Sequence, residues 1–387
     1  MARALYIHWP FCLKKCPYCD FNSHVRDSVD AEQWQAALIA DMRHEAEVAG
    51  GEPLESIFFG GGTPSLMPPT VVAALLAEAE RLWSFAPDIE ITLEGNPSSV
   101  EAANYAALAG AGVNRVSLGL QSLDDAALQF LGRLHSVDEG LAALDVAQQF
   151  FKRVSFDLIY ALPGQSEKAW ESELSRAISF GTGHLSLYQL TIEPGTKFET
   201  MVRQNQFEPL GEDTAANMFA QTRAMTAAFG LPAYEISNHA KPGERSRHNL
   251  AYWHYRDTLG IGPGAHGRRG GETTVRHRKP ENWLDAMARN GHGIVESRKL
   301  GNREMASEAM LMGLRLTEGM DLAQLSARLG LPMEALFDAD RLAFYEGQGL
   351  AWQRGSRIGV TEAGFALLDG LLGAIVPDAL FDVEESA

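Results

Sequence analysis

The sequence predicts an α/β fold: an open partial (βα)6 TIM-like barrel, followed by a C-terminal, mainly helical domain that is winged-helix-like. Three observations predict it. Through the first two hundred residues, short β-rich runs alternate with longer amphipathic stretches, the signature of βαβ units around a parallel sheet. Six such repeats are too few to close an eight-stranded barrel. From about residue 301 the pattern turns helical and ends in two short β-prone pieces, as in a winged helix.

The elements follow in order. ALYIH at 4–8 is the first strand, and a cysteine-containing loop follows it. A helix is expected over 30–48, where Trp34, Leu38, Met42 and Glu45 recur at helical spacing. LESIFF at 54–59 is the second strand and runs into Gly60-Gly61-Gly62-Thr63-Pro64, with a helix over 69–83 behind it. Strands at 88–94, 114–121, 153–162 and 184–190 complete the six. Helices at 100–109, 124–131, 137–149 and 168–180 alternate with them. Beyond 206 the rhythm weakens: a helix of about 18 residues within 207–230, a further strand at 233–240, and a short helix within 278–291. The expected division is 1–206 for the barrel, 207–300 for a connecting region and 301–387 for the C-terminal domain.

Composition narrows the class. The chain has 387 residues, 45% of them apolar and 21% charged, as in an ordinary folded soluble protein. No run of 18 or more apolar residues suggests a membrane span. The first strand starts by Leu5 with Cys12 close behind, leaving no room for a cleavable signal. Clustered, reduced thiols fit a cytoplasmic location. The net charge of −17 excludes generic nucleic-acid binding. Residues 301–387 carry 14 acids against 6 arginines, so the winged-helix-like domain reads as a lid or docking module. One stretch runs the other way: 241–279 holds nine Lys or Arg and only three acids. It is either a solvated loop face or a site for an anionic ligand.

Polar and glycine residues fall where a parallel sheet places chemistry, at the C-terminal ends of the strands. Cys12, Cys16 and Cys19 form a C-x3-C-x2-C array after the first strand, and they are the only cysteines. Three thiolates can hold an iron–sulfur cluster while leaving one iron open, since a full cage for four irons takes four cysteines. A structural zinc site would need a fourth ligand, which His8 or His24 could supply. A disulfide plus a free thiol fits a secreted chain, and nothing marks this one as secreted. Gly61 and Gly62 let backbone approach a ligand closely, although a glycine turn after a strand is usually only a turn. Glu94 closes the third strand, Gln121 closes the fourth, and Asp157 lies within the fifth.

At the cysteine array the residues match a family. C-x3-C-x2-C behind a short apolar strand, with Tyr18 just before the last cysteine, resembles the signature of radical S-adenosylmethionine (SAM) proteins. The resemblance implies a [4Fe-4S] cluster on Cys12, Cys16 and Cys19 whose open iron chelates SAM. It also implies electron transfer that cleaves the sulfonium C–S bond to a 5′-deoxyadenosyl radical. By the same resemblance Tyr6, Gly61, Gly62, Thr63, Glu94, Gln121, Arg133 and Asp157 match positions that contact SAM. Arg133 alone would otherwise read as a surface ion pair on a helix.

YIHWPFC, FFGGGTPS, GVNRVSLGLQS, FDLIYALPGQ and YQLTIEPGT look like the oxygen-independent coproporphyrinogen III oxidase group. That group contains the oxidases proper and a haem chaperone (HemW-like) branch. Oxidases carry a further cysteine two residues after the third; here the position is Phe21. They also have an N-terminal extension that this chain lacks. His248-Asn249-Leu250-Ala251-Tyr252-Trp253 matches the HNxxYW motif typical of the chaperones. The resemblance therefore implies a chaperone that binds haem and delivers it to haem-accepting respiratory proteins at the membrane surface, with an electron donor if the cluster is reduced. No nucleic-acid partner and no catalytic residue are assigned. The alternative is an oxygen-independent coproporphyrinogen III dehydrogenase. Imidazole is a common axial ligand of haem iron, so His248 is the candidate, with His254 and His266 as alternatives. By itself a lone histidine is more often a packed one. The basic stretch around it could pair with haem propionates.

Overall fold

The computed structural model describes residues 4–26, 28–50 and 52–381. Among them, six parallel strands with intervening helices form the expected partial barrel: β1 (Ala4–Trp9), β2 (Leu54–Gly61), β3 (Phe85–Gly95), β4 (Arg115–Gln121), β5 (Arg153–Tyr160) and β6 (His184–Gln189). They stand side by side in sequence order. Strands covered on both faces should be almost continuously buried, and β4 (RVSLGLQ) is buried at every position except its last. The helix Pro69–Trp83 closes the outside with Val71, Val72, Leu75, Leu76, Ala79 and Trp83, a helical stripe buried against the sheet. Helix starts are written in the sequence. Asp30 caps Ala31–Ala49 by accepting from Gln33 N, and Ser136 with Glu139 forms a capping box on Val137–Phe150.

The connecting region contributes more than a link. It adds β7 (Asn238–Ala240), antiparallel to β6, and then β8 (Thr258–Ile261), which pairs in parallel with β1 on the edge opposite β2. An antiparallel meander continues outward as β9 (His266–Arg269), β10 (Glu272–Arg276) and β11 (Ile294–Lys299). The sheet order is β11-β10-β9-β8-β1-β2-β3-β4-β5-β6-β7. Sequence pattern misses β8–β11 because the strands are short, glycine-broken and rich in Arg, Thr and Glu. The strand expected at 233–240 forms only over Asn238–Ala240, with Ala233 in a single bridge to His239. The helix expected at 100–109 is two pieces, Ser99–Ala102 and Tyr105–Gly110. Its first turn tightens because the Glu101 carboxylate turns back to accept from Asn96 N and Ser98 Oγ.

Buried charge fixes the meander to the barrel. Glu45, expected on the apolar stripe of its helix, is buried because it pairs with Arg269 and Arg276 at 2.9 and 2.8 Å. Arg276 also meets Asp41 at 2.6 Å, and all these side chains are almost fully enclosed.

Past 300 the winged-helix-like order is present. Helices Asn302–Gly313, Leu322–Leu329 and Ala339–Gly347 surround a three-stranded sheet of β12 (Met320–Asp321), β13 (Ala351–Arg354) and β14 (Arg357–Val360). This part packs around its own core, including Leu314, Leu325, Leu342, Ile358, Phe365 and Leu372. The expected outer segments end in 1–3 and 382–387, which lie outside the described residues. No helix among the described residues is long and apolar enough to cross a membrane.

Candidate functional site

The cysteine loop leaves β1 and is closed by a short parallel pairing of Phe11–Cys12 with His24–Val25. Cys12, Cys16 and Cys19 are free thiols, each partly exposed. Two donors point at sulfur: Thr63 Oγ1 lies 3.4 Å from Cys12 Sγ and Arg133 Nη1 lies 3.5 Å from Cys16 Sγ. Burial pushes the Cys12 and Cys19 thiols up. Three soft donors on one loop, with hydrogen bonds aimed at their sulfurs, fit an iron–sulfur cluster. The fourth ligand of the zinc alternative is already engaged. His8 bonds through Nδ1 to the Tyr6 hydroxyl (3.0 Å) and through Nε2 to Asn22 O (2.9 Å), and His24 Nε2 lies 3.3 Å from Asn22 Oδ1.

The glycine loop is moulded on this cysteine loop. Gly62 N donates to Trp9 O at 2.7 Å and Thr63 N to Phe11 O at 2.8 Å. A Cβ at Gly62 would stand 2.7 Å from the backbone of Pro10 and Phe11. Gly61, at φ 111°, needs the freedom of glycine and lies under the His8 ring. Gly61 donates to the Glu94 carboxylate, whose pKa burial and the neighbouring Asp157 push up to about 8. Burial raises Asp157 to about 6, against the hydroxyls of Ser186 and Ser117 that hold it. Gln121 takes the left-handed conformation at φ 69°, a strained position at the end of β4. Arg133 is no surface ion pair. It donates to Gly119 O (2.9 Å) and Asn96, reaches the Tyr18 hydroxyl at 3.5 Å, and its Nε is buried without a hydrogen-bond partner among the described residues. An unpartnered buried guanidinium nitrogen beside the cysteine loop fits a carboxylate-bearing ligand.

A cavity of about 1100 Å³ opens from these strand ends toward the C-terminal domain. Tyr6, Gly61 and Glu94 line it from the barrel, His248, Tyr252 and Trp253 from the motif, and Leu311, Met312 and Arg315 from the C-terminal domain. The motif forms a helix, Arg247–Trp253, because Ser246 caps it and the buried Glu90 carboxylate accepts from Arg247 N (2.9 Å) and His248 N (3.2 Å). The His248 ring stacks on Phe58 at 4.9 Å, and Ser56 Oγ meets Nδ1 at 3.3 Å. Burial lowers its pKa to about 4, so the ring is neutral at pH 7. Ser56 occupies Nδ1, and Nε2 is the nitrogen left for a ligand.

Two expectations change. His254 is turned away, bonded through Nε2 to Glu318 at 2.8 Å, whereas His266 lines the cavity with His248. The basic stretch is neither a solvated face nor a continuous anion site, because the barrel supplies acids for four of its nine cations. Arg247 pairs with Asp88 (2.5 Å), Arg256 with Glu55 (3.1 Å), and Arg269 and Arg276 with Glu45. Only Arg268 and Arg278 of the stretch reach the cavity. Sequence reading missed Tyr188, Glu235 and Arg315 in its wall. Glu235 carried no motif, and Arg315 sits on the far side of a domain boundary.

Comparison with known proteins bears on the family and the fold. The Radical SAM superfamily model matches residues 6–177, and the HemN C-terminal domain model matches 300–367. The chain is 38% identical to mouse "Radical S-adenosyl methionine domain-containing protein 1, mitochondrial", over 97% of this chain and 87% of that protein. It is 32% identical to the Bacillus subtilis protein named haem chaperone HemW, over 97% and 99%. Among solved structures, Escherichia coli coproporphyrinogen III oxidase (HemN) superposes with a TM-score of 0.81 at 21% identity, covering 96% of this chain and 89% of that one. That match shows a shared fold.

Proposed function

The chain belongs to the radical SAM superfamily, alongside relatives named haem chaperone HemW, and on that premise we propose that it is itself a haem chaperone of the cytoplasm. In this reading Cys12, Cys16 and Cys19 hold a [4Fe-4S] cluster, which supplies low-potential electrons and an open iron for SAM. Tyr6, Gly61, Gly62, Thr63, Glu94, Gln121, Arg133 and Asp157 receive SAM, the acids suiting its ribose hydroxyls and cationic sulfonium and Arg133 its carboxylate. Haem enters the cavity with His248 as an axial ligand and leaves for respiratory acceptor proteins at the membrane surface, while an electron donor serves the cluster.

The observation that carries this reading is His248: a neutral imidazole with Nδ1 held by Ser56, stacked on Phe58 and facing a cavity of about 1100 Å³. A metal ligand must offer an unprotonated nitrogen, and burial, which lowers the His248 pKa to about 4, favours the neutral ring. Phe21, exposed where the oxidases have a cysteine, favours carriage over porphyrinogen decarboxylation.

One anaerobically reconstituted sample tests both halves. The expected result is about four irons per chain, lost when any of the three cysteines becomes Ala. Haem should give a Soret band that shifts in His248→Ala, and coproporphyrinogen III should persist. Steady conversion to protoporphyrinogen IX, with SAM consumed in proportion, would replace the chaperone with the dehydrogenase.

A further inference from the structure

We propose that the cavity is polarised to select an apolar macrocycle whose carboxylates lie along one edge only, with Arg268 and Arg278 taking that edge. The inference rests on the haem reading and adds what discriminates among porphyrins.

The two walls differ in charge. On the meander side, His266 and Arg268 are two apart on β9, so their side chains share one face about 7 Å apart. Arg278 stands at the His266 end, close enough for its charge to oppose protonation of that ring. It is exposed and makes no ion pair among the described residues. Arg268 stacks on Tyr255 at 3.5 Å, donates through Nη2 to Arg256 O at 2.9 Å, and lies 3.9 Å from Glu308, a cavity-lining carboxylate held by the Tyr255 hydroxyl. Its Nε is buried with no hydrogen-bond partner among the described residues. Arg315 adds a third guanidinium from the C-terminal domain, paired only with the exposed Asp369.

Across the curled sheet, on the other side of β1 from β9, stand Glu94 and the buried Glu235. Between the walls the lining is largely aromatic and aliphatic, including Phe58, Tyr252, Trp253 and Met312. Haem carries its two propionates on adjacent pyrroles, so they can both face the arginines. A coproporphyrin carries a propionate on every pyrrole. However it is turned, a carboxylate faces the side of Glu94 and Glu235, where no cation among the described residues lines the cavity and an unpaired buried negative charge is costly.

The test titrates the cluster-loaded full chain with ferric haem, haem dimethyl ester and iron coproporphyrin III, following the Soret band. Haem should bind about tenfold or more tightly than either of the others. Arg278→Ala, at an exposed position, should weaken haem toward the ester and leave the ester unchanged; Arg268→Lys should do the same if it folds. Glu235→Gln should strengthen iron coproporphyrin III specifically. Equal affinities for the three ligands in the wild-type chain, with a His248-dependent Soret band, would overturn the inference and leave the chaperone reading standing. A wild-type chain that binds no haem would overturn both.

Discussion

Adding one methyl group at Gly62 should dismantle the cysteine loop rather than merely narrow the SAM pocket. The backbone of Gly62 lies outside the left-handed region, so alanine is conformationally acceptable and contact alone decides. The new Cβ would sit 2.7 Å from Pro10 C, 2.7 Å from Phe11 O and 2.8 Å from Phe11 N. Ordinary carbon contacts lie near 3.5–4 Å, so the loop must retreat by close to 1 Å. All three neighbours are backbone, which cannot swing aside as a side chain can. Overpacking of this kind costs about 1–3 kcal/mol. The shift also strains the bonds Gly62 N–Trp9 O and Thr63 N–Phe11 O, each worth about 0.5–1.5 kcal/mol. The total is roughly 2–6 kcal/mol, from the sum of those ranges. It falls on the backbone between Trp9 and Cys12. Iron and sulfide per chain after anaerobic reconstitution, together with thermal melting, read the result. Gly62→Ala should lose most of its iron and melt lower than wild type. Full iron content with an unchanged melting temperature would refute the packing described between the two loops.

Glu94, pushed up to about 8 from an ordinary 4.5, holds its proton more tightly folded than unfolded, so its contribution to stability is lost as pH rises from 4.5 to 8. Glu94→Gln should therefore equal wild type at pH 4.5 and exceed it by about 2–5 kcal/mol above pH 8, measured by denaturant melts. His248 works with the opposite sign. Its folded pKa of about 4 lies below the ordinary 6.5, so wild type loses stability as pH falls from 6.5 to 4, and His248→Phe should lose less over that window. Arg276→Met should cost about 3–5 kcal/mol, because it strands Asp41 as a buried charge while Glu45 keeps Arg269; adding Asp41→Asn, which removes the charge and keeps an acceptor, should recover most of it in the same melts.

Much of the barrel was legible because its signals are local. Alternation of apolar runs gave the six strands, and helical spacing gave helix starts within a residue or so of those that Asp30 and Ser136 cap. The cysteine array and the glycine loop announced themselves by spacing. What escaped depends on partners distant in sequence. Arg269 and Arg276 look like surface charge until Glu45 and Asp41, more than two hundred residues earlier, are seen beneath them. His254 and His266 are indistinguishable in sequence, yet Glu318 claims one and leaves the other in the cavity. Glu90, which orients the motif helix, was read only as part of a strand, because nothing in DIEITLE tells that its carboxylate meets the amides of 247 and 248.

The placement of β1 between β2 and β8 has a consequence for synthesis. One edge of β1 finds its partner about fifty residues on, but the other waits for Thr258–Ile261. At about 5–20 residues per second, a ribosome takes on the order of 10–50 s to deliver β8 after β1. Through that interval the nascent barrel presents Ala4–Ile7 as an open, apolar strand edge, the kind of surface that templates aggregation. Truncations ending before Thr258 should therefore burden holding chaperones far more than those ending after Lys299, although the cysteine loop and glycine loop are already complete in both.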